Sequence, residues 1–249
     1  MKKYDFLSGQ YIWTGFDYLG ELTPYPWPAR SSYFGIIDLA GFPKDVYYLY
    51  QSEWTSKNVL HIFPHWNWKQ GDTVDIWAYY NNADEVELFL DGRSLGTKRK
   101  SGDELHVVWR VPYMPGTLKA VSKNSGKQVL TKEIKTAGAP AKIILSVDRN
   151  IITADGNDLA FVTAKIVDEN GVLVPKADDL VQFTVQGNAS VTATDNGNQT
   201  SMESFKASNR KAFNGFCLAI IQAGEKPGKV SVTATAKGLR SSSVTIIIK

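Results

Sequence analysis

Gly9-Gln10-Tyr11-Ile12-Trp13-Thr14-Gly15-Phe16-Asp17-Tyr18-Leu19-Gly20-Glu21 is an aromatic run almost free of charge that ends in two carboxylates. Such a run reads as a buried strand whose far end carries polar groups. Strands of that kind belong to parallel sheets covered on both faces. The rest of the chain lacks the alternating helices that a parallel sheet requires. The first part is therefore expected to be the last piece of a domain whose remainder is not in this chain.

The residues after the run support this. Thr23-Pro24-Tyr25-Pro26-Trp27-Pro28 places proline at alternate positions, which forbids both helix and central strand and predicts an ordered extended loop. After Tyr33-Phe34-Gly35-Ile36-Ile37-Asp38, Pro43 suits the first turn of a helix. Val46, Tyr47, Leu49, Tyr50 and Trp54 then recur at helical spacing and give that helix an aromatic face. Strand, loop and helix make one βα unit over residues 1–57. A single unit cannot bury its own faces, so residues 4–54 are expected to pack on the next segment or on another copy of the chain.

Residues 58–137 change character. Val74, Ile76 and Ala78, then Val86, Leu88 and Leu90, then Leu105, Val107, Trp109 and Val111 alternate with polar or aromatic neighbours. Asn81-Asn82, Asp91-Gly92, Pro115-Gly116 and Asn124-Ser125-Gly126 sit between them as turns. Short alternating strands at this spacing predict an antiparallel β-sandwich. Ala137-Gly138-Ala139-Pro140-Ala141 reads as a linker, and residues 138–249 repeat the all-β pattern. Strands are expected at 143–147, 159–167, 181–185, 216–222, 230–236 and 244–248. The polar stretch from Asp195 to Asn209 is long for a loop in a compact domain, which points to a functional or docked segment.

Composition excludes several classes. Hydrophobic residues are 43% and charged residues 21% of the chain, as in an ordinary globular protein. The net charge is +3, and the tightest basic cluster, Lys98-Arg99-Lys100, reads as a solvated loop, so no nucleic-acid partner is expected. The single cysteine, Cys217, lies in an apolar run and reads as a small buried hydrophobe. His61, His65 and His106 lack zinc spacing, and neither a metal nor a cofactor is expected. No apolar run approaches the ~18 residues of a membrane span. The start, Met1-Lys2-Lys3-Tyr4-Asp5, carries no apolar stretch of signal-peptide length.

Residues in each of the three segments resemble one family, in order. Gly9-Gln10-Tyr11-Ile12-Trp13 with Phe16-Asp17 is similar to the eighth-strand motif of the (β/α)8 barrel in glycoside hydrolase family 2, the β-galactosidase and β-glucuronidase family. Tyr33 to Asp38, Pro43-Lys44-Asp45 and Tyr48 to Trp54 resemble its Bacteroides-type β-galactosidases. Val86-Glu87-Leu88-Phe89-Leu90-Asp91-Gly92-Arg93-Ser94-Leu95-Gly96 resembles the sandwich domain that follows the barrel. Asp195-Asn196-Gly197, Phe205-Lys206 and Arg210 to Gly215 resemble the C-terminal invasin-like Ig domain. The resemblance implies a mainly β chain: two tandem antiparallel Ig-like β-sandwiches preceded by a remnant βα unit of a TIM barrel. It also implies a C-terminal fragment of a β-galactosidase-like enzyme of carbohydrate metabolism.

Retaining glycosidases need two carboxyl groups roughly 5 Å apart. The resemblance places them on the fourth and seventh barrel strands, before the piece present here, so no catalytic residue is expected in this chain. Asp17, Glu21 and Asp38 invite a paired-carboxylate reading, but one βα unit has no walled pocket to raise a carboxyl pKa. Asp17 and Glu21 read as polar ends of strand and loop. In the family the tryptophan at the position of Trp13 lines the sugar pocket, so Trp13 is the candidate substrate-binding residue of an intact barrel. Its other reading is a core tryptophan. Trp27, Trp66, Trp68, Trp77 and Trp109 read as core or interdomain residues. The competing functional readings are a stand-alone carbohydrate- or protein-binding module, with Trp66, Trp68, Tyr79 and Tyr80 as a stacking platform, and a structural spacer. The family is often periplasmic or extracellular.

Overall fold

A computed structural model describes residues 4–249; the Met1-Lys2-Lys3 start lies outside them. Strand dominates, with one helix among the described residues. The contacts divide the chain into two compact units, the first gathering Phe34–Ile37 and Pro43–Thr136 with the segment that ends at Phe16, the second Asp17–Tyr33, Asp38–Phe42 and Ala137–Lys249.

In the first unit the helix α1 spans Asp45–Trp54. The strands are β1 (Leu60–Phe63), β2 (Thr73–Tyr80), β3 (Glu85–Leu90), β4 (Arg93–Lys98), β5 (Val107–Pro112), β6 (Thr117–Asn124) and β7 (Lys127–Lys135). They form a three-stranded sheet, β1-β2-β5, and a four-stranded sheet, β4-β3-β6-β7, all antiparallel. Alternation decides the layers: Val74, Ile76, Ala78 and Tyr80 of β2 face inward and meet Val86, Leu88, Leu118 and Ala120 of the other sheet. Trp66, Trp109 and Tyr113 complete this core. The Asp91-Gly92 hairpin turns with φ of 47° and 82°, the left-handed pair that a two-residue connection between twisted strands requires.

α1 lies against the β1–β2 sheet. His61 Nε2 and Asp45 Oδ1 are 2.7 Å apart, and the His61 ring stacks on Tyr48 with centroids 3.9 Å apart. Lys100 Nζ reaches Glu53 at 3.6 Å. The helix starts two residues after Pro43, and its aromatic face is only half covered: Ser52 is its one buried residue and Trp54 is exposed.

The strand expected over residues 9–21 does not form. That segment makes only isolated bridges, Phe16 with Ile37 in parallel and Leu19 with Ser31 antiparallel. Tyr11 is fully exposed. The physical reason is pairing: a parallel strand is held by neighbours on either side, and among the described residues no other strand offers itself as one.

The second unit holds β8 (Lys142–Val147), β9 (Ile151–Ile152), β10 (Leu159–Val167), β11 (Leu180–Gln186), β12 (Ala189–Asp195), β13 (Asn209–Lys211), β14 (Phe216–Ala223), β15 (Gly228–Thr235) and β16 (Ser242–Ile248). One sheet runs β12-β14-β10-β8 and the other β13-β11-β15-β16-β9, with β9 parallel to β16 and every other pair antiparallel. Ala160, Val162, Ala164 and Ile166 of β10 interleave with Val181, Phe183, Val230, Val232 and Ile246 from the facing sheet. Cys217 is wholly buried among them. All six strands expected in this region are present; the small, polar edge strand β12 and the short β9 and β13 add to them.

Candidate functional site

Trp13 belongs to the first unit. The segment after it is pinned by Thr14 N donating to Phe34 O (3.2 Å), Ile36 N to Thr14 O (3.1 Å) and Ile37 N to Gly15 O (3.0 Å). This short parallel pairing fixes the backbone, yet Trp13 itself is 74% exposed. An indole left in water on a fixed backbone is a contact surface rather than core. Within this chain Trp13 is not packed as a core residue.

The polar stretch from 195 to 209 is docked, as its length suggests, and its partners lie in the second unit. Gln199 Nε2 donates to Asp17 Oδ2 (3.0 Å), and Arg30 N donates to Gln199 O (3.2 Å). Arg30 Nη2 donates to Glu203 O at 2.5 Å while its guanidinium sits 4.3 Å from the Phe205 ring centre. Arg210, fully buried, approaches the same ring at 5.5 Å. It donates to Thr194 O (2.5 Å) and Ser204 O (3.1 Å), and it pairs with the Glu203 carboxylate at 3.6 Å. A buried guanidinium needs partners of this kind, and here both terminal nitrogens have them while Nε has none. The two arginines and Phe205 thus hold the loop in one shape. Gly197, at φ 73°, passes so close to Asp38 that a Cβ would overlap its carboxylate.

The carboxylates of this region are engaged in the fold. Asp17 is buried and accepts from Gln199; Tyr18 Oη donates to Glu21. Burial pushes the Asp38 carboxyl up to about 6, reinforced by the charges of Asp195 and Asp17 and opposed by hydrogen bonds from the Phe42 and Ala40 backbone. Asp38 Oδ1 accepts from Phe42 N at 2.9 Å. Asp17, read from the sequence as the polar end of a strand, is a buried anchor. Arg210 and Phe205 enter the sequence reading only as part of a resemblance; a long polar loop closed by an arginine is the signal that marks them.

The stacking platform of the binding-module reading does not assemble. Trp66 and Tyr80 are core residues: Trp66 Nε1 donates to Met114 O (2.9 Å), and Tyr80 faces the second sheet of its sandwich. Trp68 and Tyr79 are half-buried. Trp27 departs from its core or interdomain reading at 76% exposed, whereas Trp109 is buried. Among the described residues no three metal-ligating side chains converge, and no helix is long and apolar enough to cross a membrane.

Comparison with known proteins gives these features a setting. Residues 143–245 match the model of glycoside hydrolase family 2 C-terminal domain 5, and residues 71–130 match a domain of unknown function, DUF4982. The chain is 65% identical over 236 residues to the beta-galactosidase BoGH2A of Bacteroides ovatus, covering 95% of this chain and 28% of that protein. It is 38% identical to a putative beta-glucuronidase of Formosa agariphila, covering 92% of this chain and 23% of the other. A crystal structure of a beta-glycosidase from Bacteroides vulgatus superimposes with a TM-score of 0.88 at 36% identity, over 94% of this chain and 30% of that one. The chain spans less than a third of the length of each of these relatives. Two mainly antiparallel sandwiches with these matches mark a β-rich C-terminal region of the kind found in that family. The chain belongs to glycoside hydrolase family 2, as a C-terminal fragment of an enzyme of that family.

Proposed function

We propose that the chain is the accessory part of a β-galactosidase-like enzyme that acts on carbohydrate. Residues 1–57 supply the last βα unit of its barrel, and residues 58–137 and 138–249 are its Ig-like domains. The observation that carries this reading is the 65% identity, over 95% of the chain, to the Bacteroides ovatus beta-galactosidase. In the completed barrel Trp13 lines the sugar pocket, offering an indole face to the C–H face of a pyranose. Its exposure on a backbone fixed by Phe34 and Ile36 suits that role. The chain alone does not hydrolyse glycosides, because protonating the leaving oxygen and stabilising the oxocarbenium-like state need two carboxyls facing one sugar. Exposed Tyr11 and Phe16 are the apolar surface that the remaining barrel strands would cover; on the isolated chain they and Trp13 drive self-association.

Grafting tests the proposal. This chain replaces the corresponding part of the Bacteroides ovatus beta-galactosidase, and chromogenic β-galactoside hydrolysis is followed. Activity within about tenfold of the parent, with a loss of at least tenfold in kcat/KM on Trp13→Ala, is expected. A folded but inactive chimera, or one indifferent to Trp13→Ala, contradicts it.

A further inference from the structure

The outer face of the β1-β2-β5 sheet carries a feature that the barrel reading does not use. Side chains on β2 alternate, so Asp75 and Trp77 point away from the core that Val74, Ile76 and Ala78 fill. Phe63 of β1 lies opposite Trp77 in register, and their rings stack with centroids 6.0 Å apart. The loop between β1 and β2 brings Trp68 to the same place. Phe63, Trp68 and Trp77, together with Asp72, Thr73 and Asp75, line an open cleft of about 590 Å³.

The walls are fixed before any ligand arrives. Trp68 Nε1 donates to His65 O (2.7 Å), and its ring stacks on His65 at 4.9 Å. Asp72 is tied into its turn by Lys69 N, which donates to Asp72 Oδ2 (2.9 Å), and by Tyr113 N, which donates to Asp72 O (2.8 Å). Arg110 grips Asp75 through a two-pronged bond, Nε to Oδ1 at 2.8 Å and Nη2 to Oδ2 at 2.9 Å. That pairing holds the Asp75 carboxylate below its ordinary range, so it stays an acceptor through neutral and mildly acid pH.

From this arrangement we infer that the first sandwich carries its own saccharide-binding cleft, which takes a short neutral oligosaccharide with pyranose rings against Trp68 and the exposed edges of the Phe63–Trp77–His106 stack. The chemistry selects the ligand class. Aromatic rings take the C–H faces of a sugar, and carboxylate and hydroxyl oxygens in the same lining accept from its hydroxyls. The volume falls in the range of small-molecule sites, and the fixed walls lower the entropic cost of binding. Charge complementarity excludes acidic sugars: a uronate carboxylate would face Asp72, and the Arg110 fork that could meet it is occupied by Asp75. This cleft is independent of Trp13 and of hydrolysis.

Affinity electrophoresis of the full chain tests the inference, with galactan, xylan, mannan and mixed-linkage β-glucan as neutral probes and polygalacturonate as the acidic one. Retardation by at least one neutral probe is expected. It should weaken about tenfold or more in Trp68→Ala and Trp77→Ala and several-fold in Asp72→Asn, and persist in Trp13→Ala. Asp72→Asn keeps an oxygen for Lys69 N, so it retains the loop if a tryptophan variant fails to fold. No retardation by any neutral probe, retardation by polygalacturonate alone, or retardation unchanged in both Trp68→Ala and Asp72→Asn overturns the inference.

Discussion

Gln199 Nε2 donates to the Asp17 carboxylate at 3.0 Å, joining positions 182 residues apart. Asp17 is buried, so this bond does more than decorate a surface. It anchors the Asp17–Tyr33 segment to the loop between β12 and β13. Removing it leaves a buried carboxylate short of a donor, which costs about 1–3 kcal/mol. Gln199→Ala should lower the urea midpoint accordingly, with an unchanged m-value. No shift in midpoint would show that the segment is held by other contacts alone.

Arg210 is the sharper test of the same assembly. Truncating it strands the Thr194 and Ser204 carbonyls and removes the cation beside Glu203, whose carboxylate keeps Lys211 N and Ser201 Oγ as donors. Arg210→Ala should destabilise the second unit by about 3–5 kcal/mol. Arg210→Lys should recover only part of this, because a point charge does not reproduce the fork. Full recovery by lysine would contradict the geometry.

Asp38 gives the fold a pH dependence of definite sign. Its carboxyl is raised to about 6 in the folded chain, from an ordinary value of 3.8. The stabilising contribution of the protonated form is therefore complete below pH 3.8 and is lost as the pH rises through about 6. Asp38→Asn keeps the acceptor for Phe42 N and removes the charge. It should stabilise the protein at pH 7.5 relative to wild type by about 1–2 kcal/mol, after discounting for residual solvent, and by much less at pH 4. Thermal unfolding at the two pH values reads the difference; an equal effect at both would refute it.

Two tryptophans should separate surface from core. Trp66→Ala empties a buried site and loses its bond to Met114, at a cost of about 3–5 kcal/mol. Trp13→Ala should change stability by less than about 0.5 kcal/mol while reducing concentration-dependent light scattering of the chain. A large loss of stability on Trp13→Ala would place that ring in a core.

The legible parts of this fold are those whose local pattern and tertiary setting agree. The alternation of Val74, Ile76 and Ala78, and the Asp91-Gly92 turn, specify β2 and the β3–β4 hairpin without outside help. The apolar runs at 159–167 and 216–222 likewise form the adjacent central strands β10 and β14. β12 is hard to read because Ala189-Ser190-Val191-Thr192-Ala193-Thr194 is small and polar, which suits a sheet edge, and a bulge shifts its register. The run from Gly9 to Glu21 misleads for the opposite reason. Its apolar character records partners that a parallel sheet would provide, and the described residues contain no such strands. Trp13 is legible as a candidate only through family resemblance. The role of Asp17 depends on a contact 182 residues away that no local pattern encodes, whereas Arg210, whose hydrogen-bond partners lie 6 to 16 residues away, is marked by the long polar loop it closes.

If this chain is the accessory C-terminal portion of a family 2 glycosidase, it cannot turn over substrate by itself. Hydrolysis of a chromogenic β-galactoside by the purified chain, compared with Asp17→Asn and Glu21→Gln, tests that consequence. Buffer-level rates are expected in all three. Turnover by the wild-type chain that disappears in either variant would overturn the assignment and place a working carboxylate site in the first segment.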